Sequence, residues 1–219
     1  MKTTSQSNLI ICFVAAFAAT SLIPTQIITM ENFSICIAFY FSVFLAGLVL
    51  GNSIGLPILK SYLSIPFCAA FCIATFIHIT SSEYIRSELY FDPPPISAHG
   101  ASFLLMNEYF IWAKPFDVLA QQGLIFILYH KLADWQNSLR RIQVIFIFIF
   151  GIPHIFQTLL TETIVGVGFA TASIGAAIIF PYLLKNVTLG PALCFLIHLL
   201  AYSMTAMITW SFFAASGFK

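Results

Sequence analysis

Charge is the scarcest property of this 219-residue chain: nine Lys and Arg and eight Asp and Glu make up 8% of it, for a net charge of +1. So thin a supply leaves no basic surface for nucleic acid and no acidic tail. The five cysteines (Cys12, Cys36, Cys68, Cys72, Cys194) all lie in apolar runs, with no CxxC and no Cys/His metal spacing. They read as small buried hydrophobes. Sequence repeats, low-complexity tails and soluble domains are absent as well.

What the chain has in abundance is hydrocarbon. It is 60% hydrophobic with 24 Phe, and its mean hydropathy is +0.96. A soluble domain is excluded, and a polytopic membrane protein is the class that fits. Apolar runs fall at 9–30, 33–59, 62–80, 103–131, 142–162, 163–184 and 189–213. Each can cross a hydrocarbon core about 30 Å thick, which takes about 20 helical residues. Backbone groups in lipid must be satisfied within their own segment, so the spans are helices. The expectation is an all-α transmembrane bundle of about seven spans, one integral membrane domain over 1–219. Lys2 ahead of Leu9–Ala19 has the look of a signal peptide, but with so many spans following, a first membrane helix is the better reading.

Charge placement supports that count. With alternating spans, Lys2, Lys60, Lys131, Arg140, Arg141 and Lys185 share one side with Asp134. Glu31, Glu83, Glu88, Asp92, Glu108 and Glu162 share the other with Arg86, Lys114 and Lys219. The basic side is the inner one, which predicts a multi-pass protein of the cell (cytoplasmic) membrane with a cytoplasmic N-terminus. Gly47, Gly51 and Gly55 in the second run, and Gly166/Ala170 and Gly168/Ala172 in the sixth, are spaced for close packing inside the bundle. Ser81–Gly100, with Pro93, Pro94 and Pro95, reads as an outer surface loop or partial lid.

Polar residues inside such runs carry the functional signal. Asp117, Gln121 and Gln122 interrupt the fourth run, and a charge at mid-membrane costs roughly 2.5–3.5 kcal/mol on insertion scales. If the helix began at Pro115, Asp117 would sit at an interfacial N-terminus. If Phe103–Trp112 belongs to the same span, Asp117 lies near mid-membrane beside a proline kink, with Asn107 and Glu108 at the outer end; this is the preferred placement. His154 and His198 lie in later spans, while His78, His99 and His130 fall at span ends or in a loop. An acid and two imidazoles on three helices make a candidate site, although spacing alone is equally consistent with a structural polar cluster.

Three segments, in this order, resemble the helix-borne motifs of the CPBP family (CAAX-prenyl proteases and bacteriocin-processing or self-immunity proteins, also called Abi). Asp117 to Gly123 is similar to the family's Glu-Glu-x-x-x-Arg-Gly, Phe150 to His154 to its Phe-x-x-x-His, and His198 to Tyr202 to its His-x-x-x-Asn. Gly175 through Leu189-Gly190-Pro191 resembles the helix and Leu-x-Pro turn that precede the last motif. The likeness covers a CPBP-like core over about 110–202. It implies an intramembrane peptidase, a hydrolase, in which Asp117 and His154 activate a water and His198 stabilises the oxyanion. Gln121, Gln122, Phe150 and Tyr202 would support them.

The implied partners are the lipid bilayer and a peptide or prenylated membrane peptide, with no nucleic acid, no cofactor and no metal. Asp plus two His is also a facial-triad donor set for Zn²⁺ or Fe²⁺, against which the expectation of no metal is set. Three positions depart from the family: Val118 replaces the second Glu, Gln122 the Arg and Tyr202 the Asn. Losing the Glu and Arg together avoids one unpaired buried charge. The alternative is therefore a catalytically inactive CPBP-like protein that binds a peptide, lipid or partner helix in the same cavity. A transporter or proton relay is disfavoured, because neither an inverted repeat nor a second broken helix is seen.

Overall fold

The computed structural model describes residues 32–88, 106–152, 155 and 163–215, and these are helical with no strand. α1 (Phe33–Ser53) buries Cys36, Tyr40, Phe44, Gly47, Leu48 and Gly51 at three- and four-residue spacing. Its opposite face exposes Ile35, Leu45 and Val49, as suits a helix in lipid. The glycine spacing packs within the bundle: a Cβ at Gly47 would lie 3.8 Å from Ile127, and one at Gly51 would lie 2.8 Å from Ile58.

The 33–59 run is not one helix. Gly55 takes φ +78°, its N–H donates to the Asn52 carbonyl, and the Leu56 N–H donates to the Gly51 carbonyl. This is a Schellman ending, which needs a residue without a Cβ at the left-handed position. Pro57 then leads into the short α2 (Ile58–Tyr62).

α3 (Ile65–Glu88) runs eight residues past the point where the outer loop was expected to begin. Ser81 donates to the Ile77 carbonyl and Ser87 to that of Tyr84. Arg86 reaches Glu83 at 2.8 Å and Glu108 at 2.7 Å, tying the end of α3 to the chain ahead of the next helix. Polar side chains that bond the helix's own backbone hide a helical turn from a hydropathy reading. The remainder of that loop, 89–100, lies outside the described residues, as do 101–105, the first apolar run at 9–30 and the end of the fifth.

α4 (Lys114–Trp135) is preceded without a break by a π-turn, Tyr109–Ala113. Apart from half-buried Phe116 it is buried from Lys114 to Tyr129, because it sits centrally, against α1 on one side and α7 on the other. α5 (Leu139–Phe146) likewise passes into a π-turn, Ile147–Gly151. α6 (Thr163–Asn186) and α7 (Gly190–Ala215) follow the expected runs closely. Their tight junction needs Gly190, where a Cβ would collide with the Leu183 carbonyl. Pro181 inside α6 cannot donate to the preceding turn; there Gln143 of α5 donates to the Ile178 carbonyl at 2.8 Å.

The centre is aromatic: Tyr62 meets Phe44, Phe67 and Phe126 edge-on with centroids 5.5, 4.6 and 5.5 Å away. Three of the described helices, Phe33–Ser53, Ile65–Glu88 and Gly190–Ser211, are long and apolar enough to cross a membrane. The described residues are all-helical and suited to a bilayer.

Candidate functional site

Each π-turn is followed in the sequence, at the second residue, by proline: Pro115 after Ala113 and Pro153, outside the described residues, after Gly151. For the first turn the proline supplies a cause. A proline ring clashes with the carbonyl four residues back, and widening the turn relieves the clash. In the first π-turn the Lys114 N–H is drawn to the Tyr109 carbonyl. Pro115 has no N–H to offer, so both of the usual backbone donors to the Phe110 carbonyl are gone. His78 replaces them: its Nε2 donates to that carbonyl at 2.9 Å, while its Nδ1 lies 2.8 Å from the Ser203 hydroxyl on α7. By sequence position His78 is an unremarkable residue at a span end; in the structure it is 2% exposed and joins α3, the π-turn and α7.

The widened turn delivers Lys114 and Asp117 into the bundle. Charge placement puts Lys114 on the outer aqueous side; instead its Nζ lies 2.7 Å from Asp117 Oδ2, and the two side chains are 4% and 5% exposed. The other carboxylate oxygen, Oδ1, accepts from Gln121 Nε2 at 2.7 Å. Three-residue spacing on one helix is the signal that would have found this pair. The Lys114 ammonium also sits 3.7 Å above the centre of the Tyr202 ring, a cation–π contact that links α4 to α7.

On the neighbouring turn, Gln122 Nε2 lies 2.8 Å from His198 Nδ1. An amide nitrogen only donates, so Nδ1 accepts and the neutral ring carries its proton on Nε2. His198 stacks on Tyr202 with centroids 5.3 Å apart and leans on Phe180 at 5.6 Å. Gln122 is itself fixed, its backbone carbonyl accepting from the Tyr62 hydroxyl at 2.7 Å. Nearer the start of the site, the Tyr40 and Tyr109 hydroxyls meet at 2.6 Å.

Six of the seven residues selected from the sequence therefore fall in one region. Asp117, Gln121, Gln122, His198 and Tyr202 form a chain of contacts through Lys114, and Phe150 lines the same cavity as Gln121 and His198. His154 lies outside the described residues. The cavity measures about 290 Å³ between α6 and α7, with Gln121 and Ile125 of α4 at its back. Asp117 does not line it; Gln121 does. No group of three His, Cys, Asp or Glu suited to holding a metal occurs among the described residues. Comparison with family models, with curated proteins and with solved structures gives no match.

Proposed function

We propose that the protein is a divergent CPBP-like membrane protein that holds a ligand in the α6–α7 cavity without hydrolysing it. One observation carries this reading: both oxygens of Asp117 are committed, one to the Lys114 ammonium and one to the Gln121 amide. A carboxylate occupied in this way has little left with which to take a proton from water, and it stands behind Gln121 as seen from the cavity. Charge balance supports the same view. The family's second Glu and its Arg are Val118 and Gln122 here, and Lys114, one turn earlier, supplies the countercharge to Asp117.

Hydrolysis is the second reading, and the Gln122–His198 contact favours it. That contact puts the His198 proton on Nε2, on a ring at the cavity wall, where a donor to an oxyanion would be needed. Quenched peptides in liposomes separate the two. The wild-type chain, Asp117→Asn and His198→Ala are expected to give equal background turnover. Wild-type turnover above background that His198→Ala abolishes while its elution profile stays that of the wild type would establish the peptidase.

A seven-span topology with a cytoplasmic N-terminus accompanies the proposal. Arg86 at the end of α3 pairs with Glu108 ahead of α4, and Gln143 early in α5 meets Ile178 late in α6. This arrangement supports gathering Lys60, Lys131, Arg140, Arg141 and Lys185 at one end of the bundle and the acids at the other. Ser138, between α4 and α5, and Ser87, at the end of α3, are both exposed. In a cysteine-free background, Ser138→Cys should react with an impermeant thiol reagent only from the cytoplasmic side, and Ser87→Cys only from outside. The reverse pattern would invert the topology.

A further inference from the structure

We infer that the flank where α5 meets α6 is a binding site for an anionic phospholipid, whose phosphate is held by Arg140, Arg141 and Lys185 and whose hydrocarbon lies along the two helices. The site is separate from the α6–α7 cavity and does not depend on what that cavity binds or whether it hydrolyses. Its starting point is an imbalance of charge. α5 runs antiparallel to α6: Gln143 meets Ile178, and a turn and more further on a Cβ at Gly151 would lie 3.1 Å from Ile174. With only Gln136, Asn137 and Ser138 between α4 and α5, the end of α4, the start of α5 and the end of α6 share one corner of the bundle. Lys131, Arg140, Arg141 and Lys185 gather there with a single acid, Asp134. Asp134 is 3.9 Å from Lys131. Arg140, Arg141 and Lys185 are exposed, and among the described residues no carboxylate pairs with them.

Cations in a loop would be solvated by water and need no other partner; these stand on the membrane faces of their helices. From Arg141 the exposed residues Val144 and Phe148 follow at helical spacing, and back from Lys185 come Tyr182 and Ile178, exposed as well. Each helix therefore carries one stripe that passes from a cation into hydrocarbon within about 10 Å. The bond from Gln143 to the Ile178 carbonyl sets the stripes side by side, and Arg140, one turn ahead of Gln143, stands on the same flank of α5. Trp135 and Tyr182, both exposed at this end, are the aromatic residues expected at headgroup level. Guanidinium groups present paired N–H donors that fit phosphate oxygens. An inorganic phosphate would use the cations and leave both apolar stripes without a partner. A zwitterionic phospholipid would bring a cation of its own against the arginines. An anionic phospholipid matches the charge and the hydrocarbon together.

The test places the full chain in micelles holding equal amounts of phosphatidylglycerol and phosphatidylcholine with matched chains, and counts the lipid retained by native mass spectrometry. The wild type is expected to retain phosphatidylglycerol over phosphatidylcholine at least about tenfold, since each cation at an anionic headgroup is worth roughly fivefold. Arg140→Gln and Arg141→Gln should each lower that preference about fivefold, and the double variant should approach parity. Both positions are exposed, so melting temperature and elution profile should stay in place. Lys60→Gln removes an exposed cation from α2, which packs away from α5 and α6, and should leave the preference unchanged. Parity in the wild type, or a preference that survives the double arginine variant, overturns the site. A loss with Lys60→Gln as large as with Arg140→Gln shows a diffuse field of charge and overturns it too. Displacement of the lipid by millimolar glycerol phosphate, which has the anion and no chains, overturns the phospholipid as its ligand.

Discussion

Removing one member of the Lys114–Asp117 pair should damage the protein more than removing both. The charges are 2.7 Å apart with side chains 4% and 5% exposed. At an effective dielectric of 20 their attraction is about 6 kcal/mol, set against a desolvation penalty of several kcal/mol for each ion. Lys114→Met leaves a buried carboxylate held by the neutral Gln121 amide in place of a cation, and Asp117→Leu strands an ammonium above the Tyr202 ring. Each single substitution should cost about 3–5 kcal/mol. The double substitution leaves no uncompensated charge, so it should cost less than either single and approach neutrality. Equilibrium unfolding in detergent micelles, read by the fluorescence of the three tryptophans and repeated by steric trapping in bicelles, supplies the four corners of the cycle. If the double variant loses the sum of the two singles, the pair is uncoupled and the electrostatic account of the site fails.

Three further outcomes follow from the same geometry. Tyr40→Phe or Tyr109→Phe alone leaves a buried hydroxyl without its 2.6 Å partner and should cost about 1–3 kcal/mol, whereas the double Phe variant should be nearly neutral by the same unfolding assay. His78→Ala removes the donor to the Phe110 carbonyl and should cost about 1–3 kcal/mol; His78→Gln, which restores an N–H, should recover part of that loss, and hydrogen exchange of residues 109–114 should report the difference. Gly51→Ala places a methyl 2.8 Å from Ile58 and should cost about 1–3 kcal/mol, while Gly175→Ala meets open space and should gain up to about 1 kcal/mol in thermal unfolding.

Much of the fold was legible because hydropathy is a bulk property of a segment. The runs that became α6 and α7 end within a few residues of Thr163–Asn186 and Gly190–Ala215. Breaks inside apolar stretches were harder to see. Asn52, Ser53, Gly55 and Pro57 carry turn chemistry, but the leucines and isoleucines around them swamp it in any span-length average. Lys114 was misplaced for a related reason: the count of charges by side assigned it to the outer face with the other residues between the third and fourth runs, and only its three-residue spacing from Asp117 argues otherwise. His78 carried no signal at its own position, since its role is created by Pro115, 37 residues downstream.

Pro115 also explains why the polar residues could be found at all. Proline in a membrane helix leaves carbonyls in need of donors, and those donors must come from polar side chains on neighbouring helices. Here the need at Phe110 is met by His78, whose other nitrogen meets Ser203, one residue beyond Tyr202. The proline that widens the turn thus draws α3 and α7 to the place where Lys114 crosses onto the Tyr202 ring. Pro153 stands in the same relation to the π-turn at Ile147–Gly151, with Phe150 inside that turn and on the cavity wall. At Pro115 the polar motif and the proline beside it are therefore one device: the helix is opened just ahead of Asp117 and Gln121, and the opening is closed by His78 of α3, which α7 holds through Ser203.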